Sequence, residues 1–216
     1  MEKGRLGAFR DDVLVLASGS PRRAKILEQA GVAFRILKTD APEIVRPEDP
    51  EGTVVENAKA KLKAAVAAAS VQQQAPSESS AGFDERTALG LSILAADTIV
   101  WFNNRIYGKP RDLTEAAQFL RELSGNTHAV FTGLAYCSPN GEILTAVSRS
   151  DVTFRALDEA AIAEYVARVN PLDRAGAYDI DDSGDLIVSS FTGSYENIMG
   201  LPLEPLFDFG VIKNAT

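Results

Sequence analysis

A chain of 216 residues in which 45% of side chains are hydrophobic is long enough for one α/β domain with a sizeable core. A net charge of −8 excludes long nucleic acids as partners, because their binding rests on many cationic contacts to phosphate, but it permits a mononucleotide held by a few basic groups. A single cysteine and a single histidine exclude a disulfide framework and a multi-histidine metal centre, so any metal must be held by carboxylates, which selects magnesium or manganese.

In chain order, apolar or alternating patterns predict strands at about 13–18, 33–38, 92–102, 127–136, 143–154 and 185–191, with a further short strand at 105–107. Helices are predicted at about 21–30, 52–69, 112–124, 158–169 and 202–209. The first strand runs into Ser18, Gly19 and Ser20, where Ser20 reads as an N-cap and Pro21 as the first helical residue; the helix stops at Gly31. Thr114 opens a helix with the stripe Ala117, Leu120 and Leu123, and the helix near Asp158 carries Ile162, Tyr165, Val166 and Val169 inward; both stripes are core. Between 70 and 91 the composition turns polar, with Gln, Ser, Pro and Gly, and predicts a flexible insertion within a single domain spanning 1–216. Strands alternating with helices imply a twisted mixed sheet with flanking helices, the α/β class. No apolar stretch approaches a membrane span, Met1 to Gly7 lacks a signal-peptide core, and Cys137 reads as a buried thiol, all of which point to the cytoplasm.

Chemistry is concentrated in a few segments. The helix that begins at Pro21 offers unpaired N–H groups to an anion, and Arg22 and Arg23 add forked donors shaped for phosphate. Asp97 interrupts an otherwise apolar strand, and a buried carboxylate has to be paired, hydrogen-bonded or metal-bound. Lys109 lies between Gly108 and Pro110 on a restrained loop, within reach of a phosphate. Lys61 shares a helix face with Asn57 and Ala58, whereas Lys59 and Lys63 read as solvated. Two loops, 173–182 and 193–203, mix glycine, tyrosine and polar groups suited to a nucleotide base.

Taken in order, the segments from Leu16 to Arg23, Ala58 to Lys61, Ala96 to Thr98, Gly108 to Pro110, Leu123 to His128, Phe131 to Gly133, Ala175 to Tyr178 and Gly200 to Leu203 resemble the Maf family of nucleoside triphosphate pyrophosphatases. The resemblance covers nearly the whole chain. It implies an inosine-triphosphatase-like fold of two lobes around a cleft, a homodimer, and hydrolysis of a nucleoside triphosphate to monophosphate and pyrophosphate with a divalent cation. It further implies that Ser18, Ser20, Arg22 and Arg23 bind phosphate, that Lys61 and Lys109 are cleft lysines, that Glu43 and Asp97 hold the metal, and that Asp97 accepts the proton. Arg22 and Thr98 match the branch that takes dTTP and UTP rather than 7-methyl-GTP. At a third branch-marking position, where that branch carries Gln, this chain has Asp181, and Asp179 replaces a usual glycine nearby. A 7-methyl-GTP pyrophosphatase and a non-catalytic nucleotide-binding regulator of cell division are the alternatives.

Overall fold

A computed structural model describes residues 13–73 and 90–212. The expected insertion lies almost wholly outside the described residues; its first residues, 70–73, belong to a helix. In order, the elements are β1 (Leu14–Leu16), α1 (Pro21–Gln29), β2 (Phe34–Ile36), α2 (Pro50–Gln73), β3 (Ile93–Phe102), β4 (Arg105–Tyr107), α3 (Leu113–Leu123), β5 (Thr127–Cys137), β6 (Ile143–Phe154), α4 (Glu159–Arg168), β7 (Val188–Thr192), α5 (Tyr195–Met199) and α6 (Glu204–Asp208). The seven strands form one sheet in the order β2-β1-β3-β5-β6-β7, with β4 paired to β3. Pairing is parallel among β1, β2 and β3 and antiparallel elsewhere, so the mixed α/β class expected from the pattern is the class observed.

Alternation along the strands builds a core on both faces of this sheet. Leu14, Leu16, Leu94 and Ala96 point to the face covered by α1, where Ile26 and Leu27 meet them. Val15, Ala17, Ile93 and Ala95 point to the other face and pack on Ala58, Leu62 and Ala65 of α2. At the far end of the sheet, α3 and α4 bury Phe119, Leu120, Ile162 and Tyr165 against Val130, Val152 and Phe154. On α3 the residues that reach the core fully are Ala116 and Phe119 beside Leu120 and Leu123; Ala117 is only partly buried.

Two sequence expectations need adjustment. The segment expected as a strand at 185–191 begins with a 3-10 turn at Gly184–Leu186, whose N-cap Ser183 is left-handed at φ 55°, and only from Val188 does it pair with β6. The helix α5 was not expected, since a stretch of five residues shows no readable period.

Candidate active site

The cleft opens where the sheet splits. Strand β1 pairs with β3 only through Val15–Ile93 and Leu16–Leu94, then turns away at Ser18, and β4 rejoins the same side of β3 at Val100. Between these points Ala96 to Ile99 are paired on the β5 side alone. Asp97 and Thr98 sit in that gap. As neighbours on a strand they point to opposite faces, Asp97 toward α2 and Thr98 toward α1, and both line one cavity of about 670 Å³. Asp97 is thus mid-strand and regularly paired with Gly133, rather than at a strand end or a bulge.

On the α2 face, the glycine opposite Asp97 decides how close the helix comes. A Cβ on Gly133 would lie 2.5 Å from the carbonyl carbon and oxygen of Val54, so only glycine lets α2 settle here. One turn on, Asn57 Nδ2 donates to Asp97 Oδ2 at 3.0 Å, and another turn on, Lys61 Nζ reaches Asp97 Oδ1 at 2.6 Å. Lys61 Nζ is also 2.7 Å from Glu43 Oε1, so one ammonium draws the two expected metal-binding carboxylates together. Asp97 is almost fully buried and Glu43 exposed at 55%. Together they are two hard oxygen donors at the edge of a cleft, a set that suits a magnesium or manganese ion completed by phosphate and water oxygens. Among the described residues there is no cluster of three or more Asp, Glu, His or Cys able to hold a metal unaided. The donor set therefore fits an ion that arrives with its phosphate.

On the α1 face, Arg23 is the organising group. Its Nη1 donates to Ser18 Oγ (3.0 Å), Nη2 to Thr98 Oγ1 (3.0 Å) and Nε to the Gly200 carbonyl (2.9 Å). The Thr132 hydroxyl donates to the Asn197 carbonyl, so Thr98 O–H must donate to Thr132 Oγ1, and both threonine hydroxyls are oriented. Gly200 has φ 100°, and a Cβ there would lie 3.0 Å from Thr98 Oγ1. Burial lowers the Arg23 guanidinium to about 10, which leaves it charged near neutrality. Ser18 Oγ accepts from the Ser20 N–H, while Ser20 holds the N-cap position without a side-chain cap bond. The cap expected from the sequence is therefore a backbone position, and Ser20 lines the cavity.

The remaining cations come from outside this network. Arg22 Nη1 lies 3.3 Å from Asp179 Oδ2, and Arg174 Nε lies 2.8 Å from the same oxygen. Burial first, then repulsion from Arg174, lowers the Arg22 guanidinium. Lys109 pairs with Asp173, both more than half exposed. Lys38 lines the cavity too, with its methylenes against Gly19. Among the described residues, five cations and four carboxylates line this cavity, so its own charges nearly cancel.

Sequence reasoning placed Ser18, Ser20, Arg22, Arg23, Glu43, Lys61, Asp97, Thr98 and Lys109 in one site, and all nine line this cavity. Asp181 does not. Its carboxylate pairs with Lys25 and accepts from Tyr195 Oη (3.0 Å) in a separate pocket of about 140 Å³. Two residues earlier, Asp179 is the carboxylate that faces the cleft. Asn57, Asp179, Asp173 and Lys38 went unassigned as site residues. Asn57 was findable, four residues before Lys61 on its face; the loop residues carried no periodic signal.

The "dTTP/UTP pyrophosphatase" of Escherichia coli (strain K12) is 42% identical over 196 residues, 90% of each chain. A "Nucleoside triphosphate pyrophosphatase" of Shigella flexneri is 41% identical over the same share. A solved nucleoside-triphosphatase, described as a dITP/XTP pyrophosphatase, from Mycobacterium abscessus aligns with 65% of this chain and 72% of its own, at a TM-score of 0.35 and 17% identity. The family model described as "Maf-like protein" matches residues 13–209, and the chain belongs to that family.

Proposed function

We propose that the chain hydrolyses dTTP and UTP at the α–β phosphoanhydride, releasing the nucleoside monophosphate and pyrophosphate. The observation that carries this reading is the pair Asp97 and Thr98 at the split in the sheet. It sets a buried carboxylate beside an arginine-organised phosphate corner inside one cavity. Identity of 42% to relatives named dTTP/UTP pyrophosphatase supports the substrate class.

In this mechanism Arg22, Arg23, Lys61, Lys109 and the α1 N-terminus hold the phosphates, and the more buried Arg23 and Lys61 offset charge developing on the phosphoryl oxygens. Asp97 accepts a proton from the attacking water as its oxygen bonds to the α-phosphorus and the bond to the bridging oxygen breaks. Pyrophosphate leaves. Glu43 and Asp97 would hold a divalent cation, whose chemistry when bound is to neutralise phosphate charge and polarise the P–O bonds. The nearly balanced charge of the cavity supports a need for it, since a triphosphate adds several negative charges.

We further infer a cytoplasmic homodimer that binds neither membranes nor polymeric nucleic acid. No helix among the described residues is long and apolar enough to cross a membrane. Light scattering of the purified chain tests the dimer. Product analysis over dTTP, UTP, CTP and 7-methyl-GTP, with magnesium, manganese or chelator, tests the activity. Pyrophosphate from dTTP and UTP is expected; diphosphate plus orthophosphate would overturn the bond assignment, and faster turnover of 7-methyl-GTP the substrate assignment.

A further inference from the structure

Asn57 is buried on α2, and every hydrogen-bonding group of its amide is engaged. Its Oδ1 accepts from the Ile44 N–H at 2.8 Å, and its Nδ2 donates to the Ile44 carbonyl at 3.1 Å and to Asp97 Oδ2 at 3.0 Å. Reversing the amide would set its oxygen against two acceptors and its NH₂ against a donor, so these partners admit one orientation.

This arrangement does two things at once. It occupies the oxygen of Asp97 that faces into the helix, which leaves Oδ1 toward Lys61 and the cleft. It also clamps both backbone groups of Ile44, the residue after Glu43, onto the same helix. The two carboxylates that meet at Lys61 come from a strand and from a loop far apart in sequence, and Asn57 touches the structure on both sides. Thr53, one turn earlier, makes a second tether: its Oγ1 accepts from the Arg46 N–H at 3.2 Å and donates to the Asp49 carbonyl at 2.7 Å.

We propose that Asn57 is a positioning residue for the reaction, locking the Asp97 carboxylate and the Glu43 segment in one geometry. The proposal rests on the hydrolysis reading above for its chemistry and on the three hydrogen bonds for its geometry. A reacting group displaced by about 1 Å can cost on the order of 100-fold in rate, so the loss should appear in kcat rather than in KM.

Asn57→Ser and Asn57→Asp in the full chain test it, with dTTP as substrate and magnesium present. The expected result is a fall in kcat of roughly 10- to 100-fold with KM nearly unchanged. Thr53→Ala, which removes the tether to Arg46 and the bond to the Asp49 carbonyl, is expected to lower thermal stability with a much smaller effect on kcat. Equal losses of kcat in Thr53→Ala and Asn57→Ser, or a near wild-type kcat in both Asn57 variants, would overturn the proposal. A second measurement needs no Asn57 variant. The side-chain ¹H–¹⁵N amide signal of Asn57 should move on Asp97→Asn, and an unmoved signal would show that the contact is absent. Wild-type protein that releases no pyrophosphate would sink the functional reading, while the amide signal still judges the contact.

Discussion

The two sides of the cleft are built on different principles. The side formed by β3, α1 and α2 holds two buried networks, one on each face of β3: Arg23–Thr98–Thr132 toward α1 and Asn57–Asp97–Lys61 toward α2, with bonds of 2.6–3.0 Å. The side formed by the 173–183 loop offers exposed ion pairs, Lys109 with Asp173 and Lys25 with Asp181. Lys25 with Asp181 and Arg22 with Asp179 both tie α1 to this loop, and in the second pair the carboxylate is buried and the arginine partly so. Buried polar groups must be fully satisfied and so have one arrangement, whereas exposed pairs are weak and readily exchange partners. On the proposed function, the chemistry falls to the rigid side, and the adaptable side adds exposed contacts to the substrate.

The sharpest way to break this comparison is Asp97→Asn. An amide neither accepts the proton nor binds a cation well, so pyrophosphate release should fall about 100-fold or more with the circular dichroism spectrum unchanged. A correctly folded variant with near-normal turnover would move the chemistry elsewhere.

The next largest effect is expected beneath the adaptable side. His128 is buried, with Nε2 3.0 Å from the hydroxyl of Tyr178, whose residue lines the cavity. Burial lowers its pKa from 6.5 to about 4. The unfolded chain then takes up a proton that the folded chain refuses, so stability falls as pH drops from about 6.5 toward 4. The His128 contribution over that window is about 3 kcal/mol. Chemical denaturation at pH 7 and pH 4.5 should show it as a difference between wild type and His128→Phe, the carboxylate contributions being common to both.

Lys109→Ala should be milder. Its ammonium is exposed, and losing one charge-assisted contact to phosphate should raise KM for dTTP about tenfold with little change in kcat. The wild-type KM should also rise with ionic strength, and the variant's less so, because exposed charges are screened. A fall in kcat instead would place Lys109 on the rigid side.

The smallest effect is expected from Asp181→Gln. Its carboxylate is engaged by Lys25 and Tyr195 outside the main cavity. Hydrolysis and metal dependence should stay near wild type, and the preference for dTTP and UTP over CTP should be retained or sharpened. Competition assays with the three nucleotides read it; a reversed preference would bring Asp181 back to the base.

Much of the rigid side was legible in the sequence because its residues sit on periodic elements. A strand sends Asp97 and Thr98 to opposite faces whatever surrounds it, and a helix sets Asn57, Ala58 and Lys61 on one face. Proline at the start of α1 and Gly31 just past its end follow from backbone sterics alone, and both stand where the pattern put them. The adaptable side was less legible. Its loop runs through short 3-10 turns with left-handed residues at Gly176 (φ 68°), Ala177 (φ 62°) and Ser183 (φ 55°). Such turns break the periodicity from which side-chain direction is read; Asp181 was expected in the site through the family resemblance, whereas it is Asp179 that lines the cleft.

The sequence by itself determined the α/β class, the Ser-Pro-Arg-Arg turn at the start of α1 and a strand-borne carboxylate, since each follows from local sterics and hydrophobic alternation. Only the tertiary structure decided that β1 ends early enough to open β3 at Asp97, that Gly133 lies opposite and admits α2, and that one ammonium joins Asp97 to Glu43. These are contacts between segments distant along the chain, and their register is set by how the sheet and helices pack together, which no local pattern encodes.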